Sequence, residues 1–212
     1  LTKLILLNLF FKKIPIKNYQ NLILIVLIKK INIKDTPFSS VLVRDYIESE
    51  KLNSFFSYKN QLDNYKNIIK KRSSFPLKKR DLLYNVLNSQ YNGISDIGSV
   101  LDSIEKLKNK NTFTVTTGHQ LCLNTGPLYF IYKILHTIKL CVELSKTYKE
   151  FNFIPVFWMA SEDHDFEEIK SFETYSNKYQ IACSDDGSCT GKIKPLYVTK
   201  ILEEINKNFD GK

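Results

Sequence analysis

None of the four cysteines, Cys122, Cys141, Cys183 and Cys189, stands in a C-x-x-C pair. Structural zinc sites draw their ligands from such close pairs, and small secreted folds space cysteines as a disulfide framework. Neither class fits, and reduced thiols in the cytosol do. Long apolar runs are missing as well. Spanning a bilayer takes about twenty apolar residues, and the longest unbroken run is Leu22 to Ile28. The basic, apolar start is not followed by a small-x-small cleavage site, which argues against a secretory leader. The expectation is a cytoplasmic protein with no membrane partner.

Acidic residues are absent from Leu1 to Lys34, a stretch that holds seven lysines. The net charge of +9 therefore sits mostly at that end, and basic and acidic residues nearly balance over the rest of the chain. A phosphate-binding groove needs clustered positive charge on a folded face, so nucleic acid is rejected as a partner. The chain opens on Leu1 rather than Met, and the apolar runs Leu4–Phe11 and Leu22–Ile28 are separated by Lys12, Lys13, Pro15 and Lys17. We read residues 1–34 as a non-core extension, from a mis-set start or upstream sequence translated in error. A lipid-surface helix is the competing reading.

Residues 35–110 read as a largely helical first part of the core. Short apolar stripes recur at helical spacing over Ser39–Asn53, Leu62–Ile69, Asp81–Tyr91 and Ser95–Lys108. Gly93 stands as a stop signal after the third. At Thr112 the character changes. Thr112-Phe113-Thr114-Val115-Thr116 is a β-branched and aromatic run, a strand. A loop follows from Thr117 to Gly126, with Thr125 a candidate helix cap and Pro127 suited to the first helical position. Leu128, Ile131, Leu135, Ile138 and Val142 then mark one helical stripe, broadened by Phe130, Ile134 and Cys141. Ile154 to Met159 is continuously apolar, as in a strand buried on both faces. Strand, helix and strand make a βαβ unit, which builds parallel sheets whose ligands bind beyond the carboxyl ends of the strands.

Two polar stretches converge on that edge. The first offers Thr117, Gly118, His119, Gln120, Asn124, Thr125 and Gly126 ahead of a helix N-terminus, a location attractive to phosphate or carboxylate. It is no Walker A loop, because the Lys-Ser/Thr pair after the last glycine is missing. A plain tight connection explains it about as well. The second stretch runs Ser161-Glu162-Asp163-His164-Asp165-Phe166-Glu167-Glu168. A carboxylate beside an imidazole suits acid–base chemistry, and adjacent carboxylates suit a divalent ion. The bland reading is helix capping by Asp165, with Glu167 and Glu168 favouring the dipole, which leaves Glu162, Asp163 and His164 unused. These four, Glu162, Asp163, His164 and Asp165, are the candidate catalytic residues, and no metal ligands are assigned. His136 reads as a half-buried packing residue, and Cys122, between Leu121 and Leu123, as a buried thiol. Tyr129, Tyr132 and Lys133 fall in the first turns of the crossover helix, near the site.

T-T-G-H-Q-L at 116–121, N-T-G-P-L-Y-F-I-Y-K-I at 124–134 and P-V-F-W-M-A-S-E-D-H-D-F-E-E at 155–168 together resemble one family, the bacillithiol-biosynthesis enzyme BshC, a cysteine ligase. The likeness is dense over residues 112–170 and extends from about Asp35 to Lys212, with Cys189-Thr190-Gly191-Lys192-Ile193 matching a later glycine-containing segment. It implies an α/β, Rossmann-like parallel sheet over residues 111–212, an incomplete domain that stops before the family's coiled coil. It also implies addition of cysteine to glucosaminyl-malate to give bacillithiol, the last pathway step, and a homodimer through the missing coiled coil. Relatives also carry T-G-Q-Q, so the resemblance makes His119 a ligand contact rather than an indispensable catalyst. Joining a carboxylate to an amine needs activation, so ATP is the expected co-substrate. The chain by itself is expected to be inactive. Two other readings stand beside this one. One is a Rossmann-like nucleotidyltransferase or metal-dependent hydrolase using the Glu162–Asp165 acids; the other is a non-catalytic interaction module.

Overall fold

The computed structural model describes residues 3–6, 31–37, 39–174, 177–183 and 187–209. Most of the extension expected over residues 1–34 lies outside this set. Lys3–Leu6, from that same extension, forms a short strand, β1. The chain divides into two compact units, Lys13–Phe75 and Leu1–Lys12 with Pro76–Lys212.

Among its described residues the smaller unit holds two short α-helices. In α1 (Val41–Glu48) the Ser40 hydroxyl accepts the Val43 N–H at 3.2 Å, satisfying one of the donors a helix start leaves open. The stripe expected to reach Asn53 ends at Glu48, and Tyr46 meets the edge of Phe56 at 5.3 Å between centroids. Helix α2 (Tyr65–Arg72) buries Ile69 and closes on Lys70, Lys71 and Arg72, cations where the helix dipole favours them.

The larger unit is an α/β layer structure. Helices α3 (Leu77–Gln90) and α4 (Gly98–Lys106) precede β2 (Thr112–Gln120), α5 (Leu128–Thr147) and β3 (Asn152–Ala160). The sheet runs β1-β3-β2, with β2 parallel to β3 and β1 antiparallel to it. The βαβ unit read from periodicity is thus present. Side chains of β3 alternate between two helical layers. Ile154 and Val156 pack with Leu87, Tyr91, Val100 and Ile104 of α3, α4 and the turn between them, while Phe157 and Met159 pack with Phe130, Ile134 and Ile138 of α5. Arg80 of α3 is buried and donates from Nη1 to the Leu107 carbonyl at 3.1 Å and the Thr112 carbonyl at 2.9 Å, fastening α3 to the entrance of β2. A second cluster joins Leu123 to α6 (Phe166–Ile169), the hairpin β4 (Ser171–Glu173) and β5 (Lys178–Gln180), and α7 (Pro195–Phe209).

Three expectations are corrected. The first strand does not stop at Thr116: Thr117, Gly118, His119 and Gln120 continue it, paired with Phe157 through Ala160. Gly118 makes this continuation fit, since a Cβ there would lie 2.8 Å from the Trp158 carbonyl oxygen. The buried stripe of α5 is Ile134, Thr137, Cys141 and Leu144, whereas Leu128, Ile131, Leu135 and Val142 are exposed. The helix is apolar on more than one side, and spacing alone could not choose the side facing the sheet. Its N-cap is Pro127 rather than Thr125, with no side-chain cap.

Candidate active site

The nine-rung parallel register runs from Thr112 opposite Asn152 to Gln120 opposite Ala160. Both strands therefore end at the same level, and the two polar stretches leave the sheet side by side. They are joined by side chains. The Glu168 carboxylate takes the Gln120 amide N–H on one oxygen and the Tyr129 hydroxyl, at 3.2 Å, on the other. Tyr129 Oη lies 2.8 Å from His119 Nε2, and the same nitrogen is 3.5 Å from Glu168 Oε1. On its far side His119 Nδ1 meets Cys122 Sγ at 3.3 Å and the Gln120 carbonyl at 3.2 Å. Phe130 stands edge-on to the imidazole, 5.5 Å between centroids.

Local sequence explains each placement. Gly126 takes φ +59°, a conformation in which a Cβ would be 2.9 Å from Cys122 Sγ; a glycine is needed for the turn and for the thiol beneath it. That turn starts α5 with Tyr129 in its first residues, over His119. Asp165 caps α6 by accepting the Glu168 N–H at 3.1 Å, which orients the short helix and with it the Glu168 side chain. Burial pushes the Cys122 thiol up to about 11, the negative Glu168 adding to the shift, so the thiol is protonated at neutral pH. Desolvation first, then the hydrogen bond and charge of Glu168, raise the Tyr129 pKa and keep its hydroxyl protonated.

The sequence-derived candidates divide. His119 and Gln120 enter this cluster, with Thr117 and Gly118 just before them in β2. Asn124 takes φ +45° in the turn that precedes Gly126, and Thr125 falls between them. The acids Glu162, Asp163 and Asp165 each hold a local donor. Glu162 accepts the Trp158 indole N–H at 3.1 Å, Asp163 the Asp165 N–H at 3.0 Å, and Asp165 the Glu168 N–H. His164 is exposed, as is His136. Among the described residues no group of three or more His, Cys, Asp or Glu could hold a metal ion. Thr190 and Gly191 pack onto the acidic turn, donating backbone N–H groups to the Asp163 carbonyl at 2.7 Å and the Ser161 carbonyl at 3.0 Å. Sequence reasoning assigned Glu168 only to the helix dipole and left Tyr129 and Cys122 without a role. The spacing of Tyr129 within the first turn after a glycine was the one available signal.

Comparison with known proteins decides the family. Residues 26–212 match the model described as bacillithiol biosynthesis BshC, N-terminal Rossmann-like domain. The chain belongs to the BshC family. The resemblance read from the three motifs is borne out, and with it the Rossmann-like α/β fold. Among curated relatives named "Putative cysteine ligase BshC", one from Christiangramia forsetii is 40% identical over 181 residues, covering 84% of this chain and 34% of the relative. One from Flavobacterium johnsoniae is 43% identical over 175 residues, covering 82% and 33%. One from Bacillus pumilus is 35% identical over 145 residues, covering 66% and 26%. The chain thus spans about a third of the length of the BshC relatives it matches over most of its residues. Among the described residues no helix is long and apolar enough to cross a membrane.

Proposed function

We propose that this chain supplies the Rossmann-like part of a cytoplasmic ligase that joins the carboxyl of cysteine to the amine of glucosaminyl-malate, forming bacillithiol. Family membership supports the reading, and one observation in the structure carries it: Glu168 ties Gln120, Tyr129 and His119 together where two parallel strands end. In open α/β sheets that rim is where ligands bind.

The chemistry sets what the rim must do. A carboxylate does not acylate an amine in water, so the carboxyl is first activated, most simply as an acyl phosphate or adenylate made from ATP. The amine nitrogen then attacks the acyl carbon, phosphate or AMP leaves with the bonding pair, and the nitrogen gives up a proton. The residues present fit an anionic co-substrate in one respect: α5 begins at the rim without a side-chain cap, so its first N–H groups and dipole face an incoming phosphate or carboxylate. The candidates Asn124, Thr125 and Gly126 belong to that turn. Glu162, Asp163, His164 and Asp165 shape the neighbouring turn, which Thr190 and Gly191 brace. Dimerisation through a coiled coil is part of the same proposal.

Thiol profiling of the native host with the gene disrupted tests the reading. Loss of bacillithiol with accumulation of glucosaminyl-malate is expected. Normal bacillithiol and no accumulation would refute it.

A further inference from the structure

The hydrogen bonds around His119 favour one ring nitrogen for its proton. A hydroxyl has a single proton to donate. If Tyr129 gave it to His119 Nε2, the Tyr129 oxygen and Glu168 Oε1 would face each other at 3.2 Å with no proton between them. With the proton on Nε2 the chain through Tyr129 to Glu168 is satisfied, and one pair of acceptors stays opposed, Nδ1 and the Gln120 carbonyl at 3.2 Å. Nε2–H donates to Tyr129 Oη at 2.8 Å, the Tyr129 O–H donates to Glu168 Oε1, and bare Nδ1 accepts the Cys122 S–H at 3.3 Å. The 3.5 Å approach of Nε2 to Glu168 Oε1 favours the same tautomer. The rival tautomer, with Nδ1–H on the Gln120 carbonyl, instead opposes the Tyr129 oxygen to the charged Glu168 carboxylate, the costlier of the two mismatches.

Exposure then separates the roles. The His119 side chain is 6% exposed, and Tyr129, lying over it, is 48% exposed. A ligand at this rim meets the tyrosine hydroxyl before it can meet the imidazole.

We propose that Tyr129 is the catalytic residue that takes the proton of the attacking amine, with Glu168 as the sink behind it and His119 as a hydrogen-bond donor that holds the pair. This rests on the ligase reading. In the step, the amine N–H bond breaks and an O–H bond forms on Tyr129. The original hydroxyl proton of Tyr129 passes to Glu168 Oε1, leaving a neutral carboxylic acid that discharges to solvent. The nitrogen lone pair forms the new C–N bond as phosphate or AMP departs. His119 carries its proton on the nitrogen facing Tyr129, so it does not act as the base there. Gln120 donates to the second Glu168 oxygen and fixes the carboxylate's orientation. The raised Tyr129 pKa agrees with a hydroxyl that relays a proton and is not stored as phenolate. Lys133, with Nζ 6.0 Å from the centre of the Tyr129 ring, is the nearby cation.

The test uses the native gene product and ATP-dependent amide formation from cysteine and glucosaminyl-malate. Tyr129→Phe and Glu168→Gln should each lower kcat about 100-fold with little change in KM, the scale of a lost proton-transfer group. His119→Gln keeps an N–H donor and should stay within about tenfold of the native rate, while His119→Ala should fall as Tyr129→Phe does. Native-like urea midpoints would show that all four variants fold. Tyr129→Phe within about threefold of native, or His119→Gln as inactive as His119→Ala, overturns the proposal. Nitrogen NMR of the His119 ring gives a second readout, expected to show protonation at Nε2 at neutral pH. Protonation at Nδ1 overturns the proposal whatever the activity. A native protein that forms no amide refutes the ligase reading, and the ring tautomer then decides the hydrogen-bond chain independently.

Discussion

Replacing Arg80 with methionine keeps the side chain's length and apolar stem and removes its donors. Leu107 and Thr112 are 2% and 1% exposed, so their carbonyls lose their Arg80 partner where water has little access. A buried acceptor left without a donor costs about 1–3 kcal/mol, which puts the loss for two at about 2–6 kcal/mol. Part is returned, because burial also penalises the guanidinium and lowers the Arg80 pKa from its usual value. The net expectation is about 3 kcal/mol, or a fall in Tm of about 10 °C for a unit of this size. Trp158, the single tryptophan, lies in β3 and reports unfolding of the sheet. Urea titration by its fluorescence should show a lower midpoint with an unchanged slope. Arg80→Lys, able to reach one carbonyl, should lose about half as much. A loss below about 0.5 kcal/mol in Arg80→Met would mean that the carbonyls find other donors, refuting the fastening role.

Gly118→Ala places a methyl group 2.8 Å from the Trp158 carbonyl oxygen and 2.9 Å from its Cβ, and should cost about 1–3 kcal/mol in the same titration. Asp165→Ala removes the cap of α6 and should cost about 1 kcal/mol, with faster hydrogen exchange at the Glu168 amide as the specific sign. Burial pushes the Cys141 thiol up to about 12 from the model-compound value of 9.0. Because the folded form holds that proton longer, its stabilising contribution is full below about pH 9 and drains away as pH rises toward 12. Cys141→Ala should flatten that alkaline decline in urea midpoint; an unchanged slope would count against thiol burial as its cause.

Much of the architecture could be read from residue order, and the reasons it could not all be read are physical. The crossover helix and its two strands announce themselves through apolar spacing and β-branched runs, signals confined to a window of sequence. Thr117 to Gln120 looked like loop because Gly118, His119 and Gln120 lack strand character. They are strand because β3 continues beside them, a fact of pairing and not of composition. The cap at Asp165 was legible from its place before two glutamates. Glu168 was not, since any carboxylate in a first turn satisfies the dipole, and nothing local indicates that its partner is Gln120. The buried side of α5 was ambiguous for the opposite reason: Leu128, Ile131, Leu135 and Val142 are as apolar as the residues that face the sheet.

The equal ends of β2 and β3 make the spacing between the two rim segments a mechanical property of the ladder. Adding or removing residues in the connection after α5 leaves both ends where they are. Deleting a single residue from β2 ahead of His119 slides that rim by about 3.3 Å and inverts its side chains, carrying the imidazole of His119 to the opposite face of the sheet. The connection after α5 is therefore a place where chain length can change without moving the rim.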